Sequence, residues 1–244
     1  MKKIIISVKQ AMWILALLAC FAFPSMVQGY HYTNIDGVLW TWTYEGDVNP
    51  GSAIPPFAVG ASVGNGIDAP GTVASDGTNM TIISGHTSLL YVIMPGGGGL
   101  LGNTNWDGAT TSGSTIEVRM RILEDTSQFS GPAGLFIETG PLIYELKFHT
   151  DRVDFDGFEY FLDATQFHTY RITIDPAGPG QIAFLYIDGG TNAVIRDNNR
   201  HGDDVNRLMI GDPRGGNYGG KTEWDYVRWT NDGQYPPLPP ATVP

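Results

Sequence analysis

Two short segments carry side chains whose spacing could hold a sugar. In 115–123 (TIEVRMRIL), Glu117, Arg119 and Arg121 alternate with Ile116, Val118, Met120 and Ile122. In 142–149 (LIYELKFH), Ile143, Glu145, Lys147 and His149 alternate with Leu142, Tyr144, Leu146 and Phe148. Alternate residues of a strand share a face, so each segment offers a polar row backed by an apolar one. The segment 134–139 turns Leu135 and Ile137 inward and Phe136 and Glu138 outward. If these strands are neighbours, Arg119, Arg121, Phe136, Glu138, Glu145, Lys147 and His149 make one groove of mixed charge. Paired charged groups hydrogen-bond sugar hydroxyls, and aromatic faces stack on sugar rings. A lyase would use the same cations to neutralise a uronate, with a histidine or tyrosine as base. A solvated face laced with cross-strand salt bridges uses the same residue types. Trp106, in the loop 102–108 (GNTNWDG), either contacts a sugar or tucks back under its own loop.

Other chemistries find no footing. G-x-S-x-G is matched at 60–64 (GASVG) and G-x-x-x-x-G-K-[ST] at 215–222 (GGNYGGKT), but neither is followed by the helical pattern that a nucleophile turn or a phosphate loop opens. The five histidines (His31, His86, His149, His168 and His201) include no close pair of the kind a zinc site wants. Cys20 is the only cysteine, so a chain cut after it has no thiol nucleophile and no disulfide. The formal net charge is −11; all 25 acids lie beyond residue 29, while Lys2, Lys3 and Lys9 of the 14 bases lie before it. The segment beyond residue 29 therefore carries 11 bases against 25 acids, a charge of −14. Such a surface repels phosphate backbones and anionic lipid, which argues against a nucleic-acid partner and against membrane insertion of the mature chain.

The elements that must position these residues are strands. Past residue 30 almost no segment has helical periodicity, and short alternating runs are divided by Gly, Pro, Asn and Asp. Residues 72–83 read as a hairpin around Asp76-Gly77, and Asp156-Gly157 reads as a second tight turn. Strands are expected at 38–44, 88–94, 115–123, 133–138, 142–148, 152–155, 158–162, 168–175, 181–188, 206–210 and 224–229. Trp40 and Trp42 are expected to share a core-facing side, and Gly96–Gly99 must be a loop or a close backbone approach. The 244 residues and 42% hydrophobic content suffice for a single sandwich with a substantial core. Residues 1–29 read as a secretory signal, with basic residues to Lys9 and an apolar run over 11–23. Export follows, to an extracellular, periplasmic or cell-surface location, with lipidation of Cys20 as an alternative. Residues 235–244 hold five prolines and are expected to be extended and mobile. The domain is thus expected over 30–234.

Three stretches resemble concanavalin A-like or laminin G-like jelly rolls. They are 166–174 (QFHTYRITI), 184–190 (FLYIDGG) and 225–229 (DYVRW). The resemblance implies an all-β, two-sheet antiparallel jelly-roll sandwich, with His168 in a structural position. It also implies a family of lectins, adhesion modules, glycanases and lyases, so it does not choose between binding and chemistry. Family-sixteen glycoside hydrolases write their catalytic strand E-x-D-x-x-E or E-x-D-x-E; the nearest match is Glu223-Trp224-Asp225, with Arg228 replacing the last glutamate. Glu223 and Asp225 are therefore expected to be structural, with Asp225 pairing Arg228 or capping a turn. Laminin G-like and lectin domains often bind calcium at a loop rim, and hard cations need several oxygens. Two clusters offer them: Asp151, Asp154 and Asp156, and Asp197, Asn198, Asn199, Asp203 and Asp204. Asp203 and Asp204, expected in an irregular loop, are the preferred metal ligands. The expectation is a carbohydrate-binding module with a polysaccharide or glycoconjugate partner. A lyase or glycosidase with a non-standard site and a structural envelope protein remain as alternatives.

Overall fold

Alternation does become strand. The structure is a computed structural model; it describes residues 33–52, 58–63, 71–84, 88–93, 106, 110–127, 130–176, 178, 180–197, 200–212 and 219–239. The expected signal segment with Cys20, Gly96–Gly99, and Asn198 and Asn199 lie outside these residues. In chain order the first strands are β1 (Thr33–Ile35), β2 (Val38–Trp40), β3 (Trp42–Tyr44), β4 (Ala58–Val63), β5 (Thr72–Ser75) and β6 (Met80–Ser84). There follow β7 (Ser88–Ile93), β8 (Ser114–Asp125), β9 (Ala133–Phe148), β10 (Arg152–Phe155) and β11 (Phe158–Phe161). The last are β12 (His168–Ile174), β13 (Ala183–Ile187), β14 (Ile195–Asp197), β15 (Arg200–Asp212) and β16 (Gly220–Thr230). Among the described residues there is no α-helix.

Two antiparallel sheets form the jelly-roll sandwich. One runs β11-β10-β9-β15-β7-β4. The other runs β14-β13-β12-β8-β16-β6-β5, with β3 also paired to β16. β1 and β2 form a separate hairpin. The inward rows of both sheets meet in one core. Ile116, Val118, Met120 and Ile122 of β8 join Leu135, Ile137, Tyr144, Leu146 and Phe148 of β9, as their alternation requires. Phe148 stands edge-on to Tyr170 at 5.0 Å and to Trp224 at 5.8 Å, an arrangement the aromatic quadrupole favours.

The hairpin over residues 72–83 forms as β5 and β6, with Asp76 Oδ1 accepting from the N–H groups of Thr78 and Asn79, each at 2.8 Å. Two Asp-Gly pairs, Asp36-Gly37 and Asp156-Gly157, close two-residue hairpins with φ positive at both positions (52° and 79°, 52° and 96°). That is the type I′ signature, which aspartate tolerates and glycine makes easy.

Four expectations need correction. Residues 133–148 form one strand, not two separated by a turn at Thr139-Gly140-Pro141. The reason lies in β15, whose register breaks between His201 and Val205. Gly140 pairs with Val205 and Leu142 with His201, so Pro141, which has no N–H to give, falls opposite the break and costs no regular ladder bond. Asp203 and Asp204 consequently lie within β15 at this irregularity, not in an irregular loop. Trp40 and Trp42 do not share a face, because the strand is interrupted at Thr41. Trp42 enters the core with Tyr44 stacked beside it at 6.2 Å, whereas Trp40 is buried beneath the Arg171 guanidinium. The proline-rich tail begins anchored. Tyr235 N–H donates to Thr115 Oγ1 at 2.9 Å, Arg171 Nη1 donates to the Tyr235 carbonyl at 3.3 Å, and Pro237 is buried.

Gly131 closes the approach between the β8–β9 connection and β9 itself. Its φ is +83°, and a Cβ there would lie 1.9 Å from the Phe148 carbonyl oxygen, a backbone atom that cannot swing away. Gly131→Ala is expected to cost about 3 kcal/mol, the upper range for a strained backbone position. Chemical denaturation checks this; an unchanged midpoint would refute the close approach.

Candidate ligand-binding face

Sheet assignment divides the expected groove. β8, with Arg119 and Arg121, belongs to the eight-stranded sheet, and β9, with Phe136, Glu138, Glu145 and Lys147, to the six-stranded one. The two sets therefore face opposite sides of the molecule and cannot hold one ligand together. Alternation fixes which residues of a strand share a side, but not which sheet the strand joins.

On the eight-stranded sheet the outward charges pair with one another. Arg119 binds Asp225, and Arg121 Nε donates to Glu223 Oε2 at 2.7 Å. Both guanidinium groups lie 4.6 Å from the Phe167 ring centroid. Arg171 Nε donates to the buried Glu117 at 2.6 Å, and Arg228 reaches Glu45 at 2.9 Å and Glu117 at 3.8 Å. Asp225 thus pairs with Arg119, not with Arg228 as expected. A register break between Trp224 and Tyr226 leaves Asp225 beside Arg119, while Arg228 sits opposite Glu117. Arg228 lies 3.8 Å above the Tyr226 ring, and the Tyr226 hydroxyl is pushed up to about 12 by burial and by the Glu117 charge. This is the salt-bridged sheet face, on which Glu223 and Asp225 are each held in an ion pair. His168 is held from both ring nitrogens: its Nδ1 lies 2.6 Å from Asp188 and its Nε2 3.0 Å from the Asp163 carbonyl.

On the six-stranded sheet, Phe136 and Glu138 alternate outward as expected but are buried. Arg207, directly opposite Glu138 in the ladder, grips both its carboxylate oxygens, with Nη2 at 2.8 Å from Oε1. Trp106 is core, not ligand surface: it is 1% exposed, stands edge-on to Trp229 at 5.7 Å, and donates its Nε1–H to the Glu138 carbonyl at 2.9 Å. Satisfying the indole N–H allows the ring to be buried. Glu145 is buried as well, and its backbone N–H donates to Asp156 at 3.0 Å. Seven residues of strand separate Glu138 from Glu145, roughly 23 Å. A glycosidase pair needs separations of about 5–10 Å, so these two carboxylates do not form one.

The outward face becomes accessible towards β10 and β11. Lys147 sits opposite Asp154, and Asp154 opposite Glu159, across three strands. Lys147 Nζ lies 3.5 Å from Asp154; Arg152 lies 2.8 Å from Glu159 and 2.9 Å from Asp151. Beyond them is the edge strand β11, all four of whose residues are exposed. Phe161 is 68% exposed, Phe158 52% and Tyr160 38%. Three aromatics in four residues at the rim of a sheet remain 38–68% exposed among the described residues, an apolar patch that water must solvate. A strand is expected here from the sequence, but its aromatic side chains are not among the expected ligand residues. The available signal was the missing alternation of Phe158-Glu159-Tyr160-Phe161, which marks a strand wet on both sides.

His149 stands half-buried at the end of β9, its N–H donating to the Arg152 carbonyl at 2.9 Å. Burial, with Arg152 nearby, holds its pKa below the ordinary histidine value of 6.5. The folded state therefore binds this proton less readily than the unfolded chain. Its contribution to stability is present above pH 6.5 and is lost as pH falls through the depressed folded value. His149→Gln is expected to flatten the fall in melting temperature just below pH 6.5; an unaltered profile would refute the burial argument.

Among the described residues no three His, Cys, Asp or Glu side chains are placed to hold a metal ion. Of the first acidic cluster, Asp154 is engaged by Lys147 and the Gly157 N–H, and Asp156 by the Glu145 N–H. A cavity of about 140 Å³ lies between Arg171, Asp36 and the anchored tail. It is well below the ~300 Å³ at which ligand pockets begin.

No protein-family model matches the chain, and no curated protein does. Solved structures do. A structure described as a native glycosidic hydrolase superposes with a TM-score of 0.47 at 16% identity, covering 80% of this chain and 97% of that one. A β-1,3-glucanase from Mycobacterium marinum gives 0.44 at 15% identity, covering 78% and 98%. Bacillus licheniformis β-glucanase gives 0.42 at 16% identity, covering 72% and 92%. At these identities the likeness is one of fold alone.

Proposed function

We propose that the protein is an exported carbohydrate-binding or adhesion module that holds a glycan without chemistry. The observation that carries this is β11. Phe161 presents a flat apolar face on the outward side of the sheet, beside Arg152 and Glu159 with donors and acceptors already oriented by their ion pair, while Phe158 and Tyr160 expose rings on the other side of the same edge. Pyranose rings offer the complementary surface, an apolar face rimmed by hydroxyls. Binding is favoured over hydrolysis because the carboxylates of the nearest hydrolase-like motif, Glu223 and Asp225, are committed to Arg121 and Arg119. Export rests on the basic and apolar order of residues 1–29.

Native affinity electrophoresis through gels containing polysaccharides tests the reading. Retardation without loss of polysaccharide is expected, and clearing of the polysaccharide would overturn it. Phe161→Ala removes one exposed stacking face, worth about 0.5–1.5 kcal/mol, so affinity should fall by roughly 2–10-fold.

A further inference from the structure

Resting on that reading, we infer that the glycan bound along β11 is an uncharged one. Every cation of the strip is already neutralised. Lys147 is paired with Asp154, and Arg152 is shared between Asp151 and Glu159. Two bases thus stand among three acids, with the Asp151 and Glu159 side chains 64% and 45% exposed. A uronate or sulfate approaching Phe161 would meet exposed carboxylates, while Lys147 and Arg152, the described cations on its side of β9 and β10, are already paired, and like charges in contact are repulsive. The surrounding field has the same sign, since the chain beyond residue 29 carries 11 bases against 25 acids, −14 in all. A neutral sugar pays none of this repulsion. Its hydroxyls donate to the same exposed carboxylates while its apolar face covers Phe161, surface that otherwise stands against water. The arginines that could have served a uronate, Arg119 and Arg121, lie on the opposite sheet and are themselves paired.

The test runs the full protein through gels holding neutral polysaccharides (xylan, mixed-linkage glucan, galactomannan) and anionic ones (alginate, polygalacturonate, carrageenan), at low salt and at 0.5 M salt. Retardation is expected in at least one neutral gel, about equally at both salt concentrations, because stacking and neutral hydrogen bonds are barely screened. Phe161→Ala, which lies on an exposed edge and leaves the core intact, should weaken it several-fold. Glu159→Lys, which removes one of the acceptors, should weaken neutral binding and add salt-sensitive retardation in an anionic gel. Retardation of the unaltered protein chiefly in anionic gels, abolished by salt, would overturn the inference and leave glycan binding standing. So would neutral retardation indifferent to Phe161→Ala, which would move the site elsewhere. Retardation in none of the gels would overturn the binding reading itself, and this inference with it.

Discussion

Trp224→Ala is expected to lower stability by about 3–5 kcal/mol, the range for deleting a fully buried tryptophan. Trp224 has no exposed surface and sits on β16, between Met80 of β6 and Met120 of β8 in the ladder. It reaches across to the other sheet, where Phe148 meets it edge-on at 5.8 Å, and its Nε1–H donates to Thr222 Oγ1 at 2.9 Å. Removing it opens a cavity walled by both sheets. Those walls are hydrogen-bonded ladders that cannot collapse inward without breaking register, so the cost should lie towards the upper end. Trp224→Phe keeps most of the volume and the contact with Phe148, and should cost less than half as much. Urea denaturation of the two variants measures both. Equal losses would mean that the indole hydrogen bond, not the volume, holds the position.

The second large effect is expected at the Glu138–Arg207 pair. Glu138 is 3% exposed in its side chain and Arg207 29%. Arg207→Met leaves a buried carboxylate without its counter-charge and should cost about 3–5 kcal/mol, more than the pair itself is worth. Its ladder neighbours Phe136 and Met209 are apolar and face the same side, so this part of the sheet can accept apolar side chains. Glu138→Leu combined with Arg207→Met should therefore recover most of the loss. A double-mutant cycle by thermal or urea unfolding reads the coupling. Losses that simply add would show that the two side chains do not depend on each other.

Much of the sandwich was legible because antiparallel strands with one wet face must alternate. The inward rows Ile116-Val118-Met120-Ile122 and Tyr144-Leu146-Phe148 were readable residue by residue, and Asp156-Gly157 announced its turn. The pairing of sheets was not legible. β8 and β9 follow one another along the chain yet join different sheets, since nothing in either strand's own pattern names its neighbours. That single ambiguity put Arg119 and Lys147 in one groove when they face opposite directions. Trp106 escaped for another reason: whether a loop tryptophan turns outward depends on an acceptor for its N–H, and the acceptor was a backbone carbonyl 32 residues away. The aromatics of β11 were missed because an exposed phenylalanine and a core phenylalanine look alike until the edge of the sheet is known.

The order of strands also bears on when the molecule can form. β16, the last strand, lies inside its sheet, flanked by β8 along one side and by β6 and β3 along the other. Until residue 230 has been synthesised, β3 has no partner, β6 lacks one of its two neighbours, and the core lacks Trp224, Val227 and Trp229. Pairings this distant along the chain close slowly. The eight-stranded sheet therefore cannot be completed until β16 has been made. Whatever must thread, escort or modify an unfolded chain has the time it takes to reach residue 230 in which to act.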